Sequence, residues 1–353
     1  MASYCPVCLR KTALGDYCIY CGFRMPQWLE FSSEEDYSSW NEYLIASREE
    51  YKKNGGEIYE PKIIITTKKN RKVIPSQEAS LWENVDVTRF KVYDKWRDRI
   101  ISLYLCKNKI SKLDELPGLS KIQKLSVIDN NITDTSPISK LSTIRELDVS
   151  GNKLTNIAGL DSLYSLISLT ADRNSISVFN NHSHLRSLAT LSLCENKFED
   201  ITSLCEIKNL KKLKLAGNSI TDIAPIKNMR TLEMLSLSKN PIKDLNPLSN
   251  LENLLYLRIS DTLATDPEPL ARLTKLKLLT IGSVKGPKLD LSPLLGLSNL
   301  ESLGIYSPVA NLKPLYGLVG LKRLLLNVDT DIEELRRALP DCEIRTIDFT
   351  VFN

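Results

Sequence analysis

The sequence predicts an α/β solenoid, a coil of short parallel strands joined by irregular return segments, and three observations carry that prediction. One leucine recurs at a fixed 22-residue step through Leu103, Leu125, Leu147, Leu169, Leu191, Leu213, Leu235, Leu257 and Leu279, then at 24 to Leu303 and 21 to Leu324. Around each anchor the pattern reads L-x-L-x-x-N-x-I-x-x-I, as in LDVSGNKLTNI from Leu147 and LKLAGNSITDI from Leu213. Pro225, Pro241, Pro247, Pro308 and Pro314 fall inside the units, and proline breaks a helix interior, so long amphipathic helices are excluded as the repeating element. A unit of this length cannot bury its apolar face alone; stacked neighbours supply the missing surface.

Each part of the unit has a physical reason. In L-x-L the period is two, so both leucines point to one side of a short strand. Asn108, Asn130, Asn152, Asn174, Asn196, Asn218 and Asn240 follow the strand in seven successive units. A buried amide there pairs with backbone groups of the next coil that would otherwise lack partners. After Leu257 the place is held by Thr262, and Val284, Pro308 and Asp329 stand near it in later units. The amide ladder is therefore expected to end at Asn240, with less regular coils beyond.

The repeat resembles the 22-residue leucine-rich repeat class, which includes internalins and the regulatory subunit of protein phosphatase 1, over roughly residues 96–345. The resemblance implies a curved solenoid with a parallel β-sheet on its concave face. It also implies a mostly 3₁₀ or irregular convex side, matched here by ITDTSPI, ITDIAPI and IKDLNPL, and a protein-binding role.

At the C-terminal end, DIEELRRALPDCEI places Ile332, Leu335 and Leu339 on one helical face before Pro340, and Glu343–Phe349 reads as a last strand. The expected division is a zinc ribbon over 1–26, a helix and β-hairpin module over 27–80, an N-terminal cap over 81–99, repeats over 100–328 and a C-terminal cap over 329–353. The N-terminal quarter differs in composition, since Trp28, Trp40, Trp82 and Trp96 all precede the regular repeats. Cys5-x₂-Cys8 and Cys18-x₂-Cys21 are nine residues apart. That spacing suits four thiolates around one structural Zn2+ with no open position, and the segment resembles a short zinc ribbon; unrelated cysteines or two disulfides are the alternatives. Ser33 ahead of Glu34, Glu35 and Asp36 reads as a helix start, with Gly55 and Gly56 as its stop. IIITT and RKVI flank a basic turn, Lys68–Lys72, and read as a hairpin. Phe90, Tyr93 and Trp96 form the apolar face of the N-terminal cap.

The net charge of +4 is mild for 353 residues, and does not point to nucleic acid. No run is long enough to span a membrane, and the start lacks an apolar stretch suited to export. With Cys106, Cys194, Cys205 and Cys342 scattered, the cysteine usage suggests a reducing, cytoplasmic setting.

The strand positions that point outward are the candidate binding residues. They include an acidic grouping of Asp148, Asp172 and Glu195, an aromatic and basic grouping of Tyr256, Arg258 and Tyr306, and Tyr104, Arg173 and Lys212 beside them. The alternative is that all are ordinary solvated strand positions. His182 and His184 lie in an irregular stretch, and no nucleophile motif or phosphate loop appears. The expectation is a non-enzymatic intracellular scaffold that binds another protein through the concave face. A regulatory subunit for one enzyme is the alternative, and a nucleic-acid protein acting through the ribbon is the weakest reading.

Overall fold

The structure is a computed structural model, and it describes residues 3–4, 11–12, 28–31, 100–105, 110–114, 119–180, 184–309, 311–328 and 332–346. The chain divides into two compact units, the first holding residues 1–154 and 158–166, the second residues 155–157 and 167–353.

In the first unit, β1 (Ser3–Tyr4) and β2 (Lys11–Thr12) pair antiparallel. A separate sheet orders β3 (Trp28–Phe31), β4 (Ile100–Tyr104), β5 (Lys124–Ser126) and β6 (Glu146–Asp148). The last three are parallel, with Leu103, Leu125 and Leu147 directly in register. β3 is antiparallel to β4, with Trp28 opposite Tyr104 and Leu29 opposite Leu103. This strand was not foreseen, because nothing in WLEF repeats; its backbone groups pair with an edge that the repeats leave open.

The second unit is a run of parallel strands: β7 (Ser168–Thr170), β8 (Thr190–Ser192), β9 (Lys212–Lys214), β10 (Met234–Ser236), β11 (Tyr256–Ser260), β12 (Leu278–Gly282), β13 (Ser302–Pro308), β14 (Arg323–Asn327) and β15 (Glu343–Thr346). The anchors Leu169, Leu191, Leu213, Leu235, Leu257 and Leu279 are all 0% exposed, and each buried leucine contributes about 2 kcal/mol of apolar transfer. α1 (Glu333–Ala338) buries Leu335 ahead of β15.

The return segments are 3₁₀ turns, Ser136–Lys140 and Leu160–Ser162 in the first unit and six more in the second, from Ser203–Glu206 to Lys313–Leu315. Six of the eight carry proline at their first or second position, where its missing N–H costs nothing. An acidic or amide side chain opens most of them. The Ala224 N–H donates to Asp222 Oδ1 at 2.7 Å, the Asn246 N–H to Asp244 Oδ1 at 2.8 Å and the Lys313 N–H to Asn311 Oδ1 at 3.0 Å.

The asparagine ladder is the polar spine of each unit. The Asn218 side chain accepts the Phe198 N–H at 3.0 Å and donates to the Leu193 and Leu215 carbonyls at 3.0 and 2.9 Å. Asn240 does the same with Ile220, Leu215 and Leu237, and Asn130 and Asn152 repeat it in the first unit. Thr262, with one hydroxyl in place of an amide, donates to the Ile259 carbonyl of its own coil at 3.1 Å. The Ile242 N–H that an asparagine there would receive turns to the Asn240 carbonyl instead, at 2.8 Å. Strands are three residues long from β5 to β10 and five to seven from β11 to β14.

The expected zinc ribbon is corrected. Among the described residues no group of three or more His, Cys, Asp or Glu is placed to hold a metal. Cys5, Cys8, Cys18 and Cys21 lie outside the described residues, so the described fold is a repeat solenoid without a zinc-ribbon module. Paired C-x₂-C spacing brings thiols close along the chain; a Zn2+ site also requires four of them to converge tetrahedrally, and that is the step the sequence did not supply. The structural Zn2+ is withdrawn. The helix expected after Ser33, the hairpin around Lys68–Lys72 and the cap face of Phe90, Tyr93 and Trp96 also lie outside the described residues.

Candidate protein-binding face

Register turns the outward positions of the second unit into rows across the strands. One row, just ahead of the anchors, runs Ser168, Thr190, Lys212, Met234, Tyr256, Leu278, Ser302, Arg323, Glu343. The row just after them includes Ser192, Lys214, Ser236, Arg258, Thr280 and Gly304. Met234, Tyr256 and Leu278 therefore stand side by side on β10, β11 and β12. Tyr256 is 37% exposed, Met234 and Leu278 are half-buried, and the half-buried Leu255 adjoins them. Met234 and Leu278 were not among the expected binding residues. Their signal was present as apolar residues at a position that, Tyr256 apart, elsewhere carries polar or charged residues.

Charge around this apolar row is uneven. Lys211 bonds to Glu233 at 3.0 Å, and Glu301 pairs with Lys322 at 2.7 Å and Lys277 at 3.8 Å. The hydrogen bond and charge of Lys322, aided by Lys277, hold the Glu301 carboxyl below its usual range. Lys212, Lys214 and Arg258 are exposed and make no ion pair among the described residues. Tyr306 is half-buried on β13, and a Cβ at Gly304 would stand 3.6 Å from its Cε2. By register Tyr306 lies two strands over and four residues along from Tyr256, roughly 16 Å away at ordinary strand spacings. Tyr256 and Arg258 share β11; Tyr306 stands apart from them.

The acidic candidates occupy different rows. Asp148 follows its anchor leucine by one position, Asp172 by three and Glu195 by four. Asp148 accepts the Ser150 hydroxyl at 2.6 Å and its N–H at 3.0 Å. Asp172 accepts the Ser192 hydroxyl at 2.7 Å and the Cys194 N–H at 2.8 Å. Both carboxylates thus fasten strand ends. Arg173 and Glu195 sit at φ 53° and 54°, in the left-handed turn that precedes each ladder residue. Tyr104 ends β4, and its side chain lies outside the described residues.

Cys194 and Cys205 are half-buried thiols. Burial pushes the Cys205 thiol up to about 12, with Asp200 adding to it, and burial followed by Asp172 raises Cys194. Such thiols are poor nucleophiles at neutral pH. His182 lies outside the described residues, and His184 is exposed.

The geometry is that of a leucine-rich-repeat solenoid. A family model described as leucine rich repeats in two copies matches residues 208–250, and no curated protein matches the chain. Among solved structures, the chain is similar to an internalin (InlF) of Listeria monocytogenes, at 27% identity and a TM-score of 0.50, with 72% of this chain and 88% of that chain covered. It is similar to a leucine-rich-repeat protein of Leptospira interrogans at 25% identity and a TM-score of 0.62, covering 72% and 74%. The fold alone is shared with the ectodomain of a plant membrane receptor kinase of Arabidopsis thaliana, solved in complex with Casparian strip integrity factor 2. That match has 17% identity and a TM-score of 0.55, over 70% of this chain and 32% of that chain. The described residues share the repeat-solenoid fold of these structures.

The cytoplasmic placement is corrected by the same comparison. A receptor ectodomain carries this fold, so free thiols on such a coil do not assign a compartment, and the expectation drawn from cysteine usage is withdrawn. Among the described residues no helix is long and apolar enough to cross a membrane.

Proposed function

We propose that this protein is a scaffold that binds another protein through the sheet face of its second unit, centred on β9–β12. The observation that carries the proposal is the apolar row Met234–Tyr256–Leu278, with Tyr256 exposed between two half-buried neighbours. Aromatic and arginine side chains concentrate binding energy at interfaces, and Tyr256 and Arg258 stand on one strand with aliphatic neighbours. Lys212 borders the row, and Tyr306 adds a second, separate contact point. The internalin and receptor likenesses support a binding role without naming a partner.

The test is site-specific photocrosslinking in native lysate. A benzophenone amino acid replaces Tyr256 on the sheet face or Leu295, which is 58% exposed beside a 3₁₀ turn. Crosslinks to protein from position 256, absent from position 295, are expected. Equal yields from both positions, or none from 256, would sink the assignment of the face.

A further inference from the structure

We infer that the face over β9–β12 takes an acidic, apolar-anchored segment of its partner. Lys214 and Arg258 each hold a carboxylate, and an aliphatic or aromatic side chain seats on Met234, Tyr256 and Leu278. The inference rests on the proposed protein-binding role and adds the chemistry of the partner.

Charge complementarity is the first support. Cations on this face outnumber acids that are open to them: Glu233 and Glu301 are already engaged by Lys211, Lys277 and Lys322, whereas Lys212, Lys214 and Arg258 have no ion pair among the described residues. Their charge is therefore offered outward, and a carboxylate that meets it does not first have to displace an internal partner. Placement is the second support. Lys214 and Arg258 flank Ser236 in register, two strands apart and so about 10 Å from one another. Ser236 between them is small and buried, so no side chain stands up to block a chain laid across the strands. That chain would set two acidic groups about 10 Å apart, three residues along a polyproline II backbone whose period of three returns both to one face, with its apolar side chain on the parallel row one step away.

A single-stranded nucleic acid fits less well. It would stack bases on aromatic faces, yet Tyr256 is the one aromatic of the patch and its neighbours Met234, Leu255 and Leu278 are aliphatic.

The test is selection of random dodecapeptides displayed on phage against the full-length chain, with dissociation constants then measured on the selected peptides. Three variants are compared: the charge reversal Lys214→Glu with Arg258→Glu, the neutral pair Lys214→Gln with Arg258→Gln, and Tyr256→Ala. Thermal melting of each checks the fold. The expected result is enrichment of Asp and Glu beside Phe or Leu. Affinity should fall about tenfold or more in both charge variants, more steeply on reversal, and in Tyr256→Ala. Selected peptides without acidic residues, lost in Tyr256→Ala but indifferent to the charge variants, overturn the acidic partner and leave the binding face standing. Peptides indifferent to all three variants, or no peptide retained, overturn both. Tighter binding of a labelled oligouridine dodecamer than of any selected peptide overturns the protein partner in favour of nucleic acid.

Discussion

Asn218 shows what a single side chain does in this fold. One amide closes three backbone groups, the Phe198 N–H and the carbonyls of Leu193 and Leu215, and no water can reach them. Asn218→Ala leaves the Phe198 N–H and the Leu193 carbonyl buried without this partner, while the Leu215 carbonyl keeps the Asn240 amide; since each such loss costs about 1–3 kcal/mol, urea denaturation should show a drop of a few kcal/mol. A drop no larger than that for an exposed substitution would mean the ladder is dispensable. Gly159 is a second point of this kind, with φ +80° and Ser136 Cα only 2.6 Å from where a Cβ would stand. Backbone cannot step aside there, so Gly159→Ala should destabilise by about 2 kcal/mol or more, read as a lower midpoint at unchanged slope. The aspartates that open the 3₁₀ turns link stability to pH. The Ser136 and Thr202 side chains, then their N–H groups, hold the Asp134 and Asp200 carboxyls below 3.8, and the Ser292 N–H and then its side chain do so for Asp290. A carboxyl depressed in the folded state stabilises above its unfolded value and loses that contribution as pH falls through the folded value. Stability should therefore be level in this respect above about pH 5 and decline below 3.8, with a shallower decline in Asp200→Asn. All three are surface groups, so the effect of each is small.

At the scale of elements, two departures from the repeat matter most. Beyond Asn240 the amide ladder stops, and the backbone ladder lengthens from three-residue strands to strands of five to seven. The loss of the asparagine was legible in the sequence, where Thr262 stands in its place. The longer strands were not, because strand length there depends on how neighbouring coils pair. The other departure is β3, which covers β4 by antiparallel pairing. Leu29→Pro removes a backbone donor from that pair. Amide exchange should then accelerate in Ile100–Tyr104 and stay unchanged in β10–β12, since coils of a solenoid depend chiefly on their nearest neighbours. Acceleration throughout both units would show that β3 holds more than its own edge.

At the scale of the whole molecule, stability and recognition are assigned to opposite sides of the same strands. Anchors such as Leu235, Leu257 and Leu279 are fully buried, while Met234, Tyr256 and Leu278, each one residue earlier, meet solvent. The period of two along a strand is what separates them. Tyr256→Ala should consequently leave the thermal midpoint within the effect of about 0.5 kcal/mol expected for a surface change, while binding at the face falls. Loss of both together would mean that Tyr256 supports the coil and its exposure misleads.

The sequence by itself determined the coil: the 22-residue step sets which residues are neighbours on successive strands, and burial then follows from period two. It also determined where the ladder ends, since a threonine hydroxyl has one proton to donate where an amide has two. Tertiary structure decided what lies outside that period. It tied Asp148 and Asp172 to strand ends, set Glu195 in a left-handed turn and parted Tyr306 from Tyr256. It also brought Met234 and Leu278 to either side of Tyr256, and laid a non-repeating strand on β4. The physical reason is one of range. A repeat specifies contacts that recur at its own spacing, whereas a hydrogen bond from the Ser192 hydroxyl to Asp172, or the pairing of Trp28 with Tyr104, arises only once the coil has placed those groups in reach.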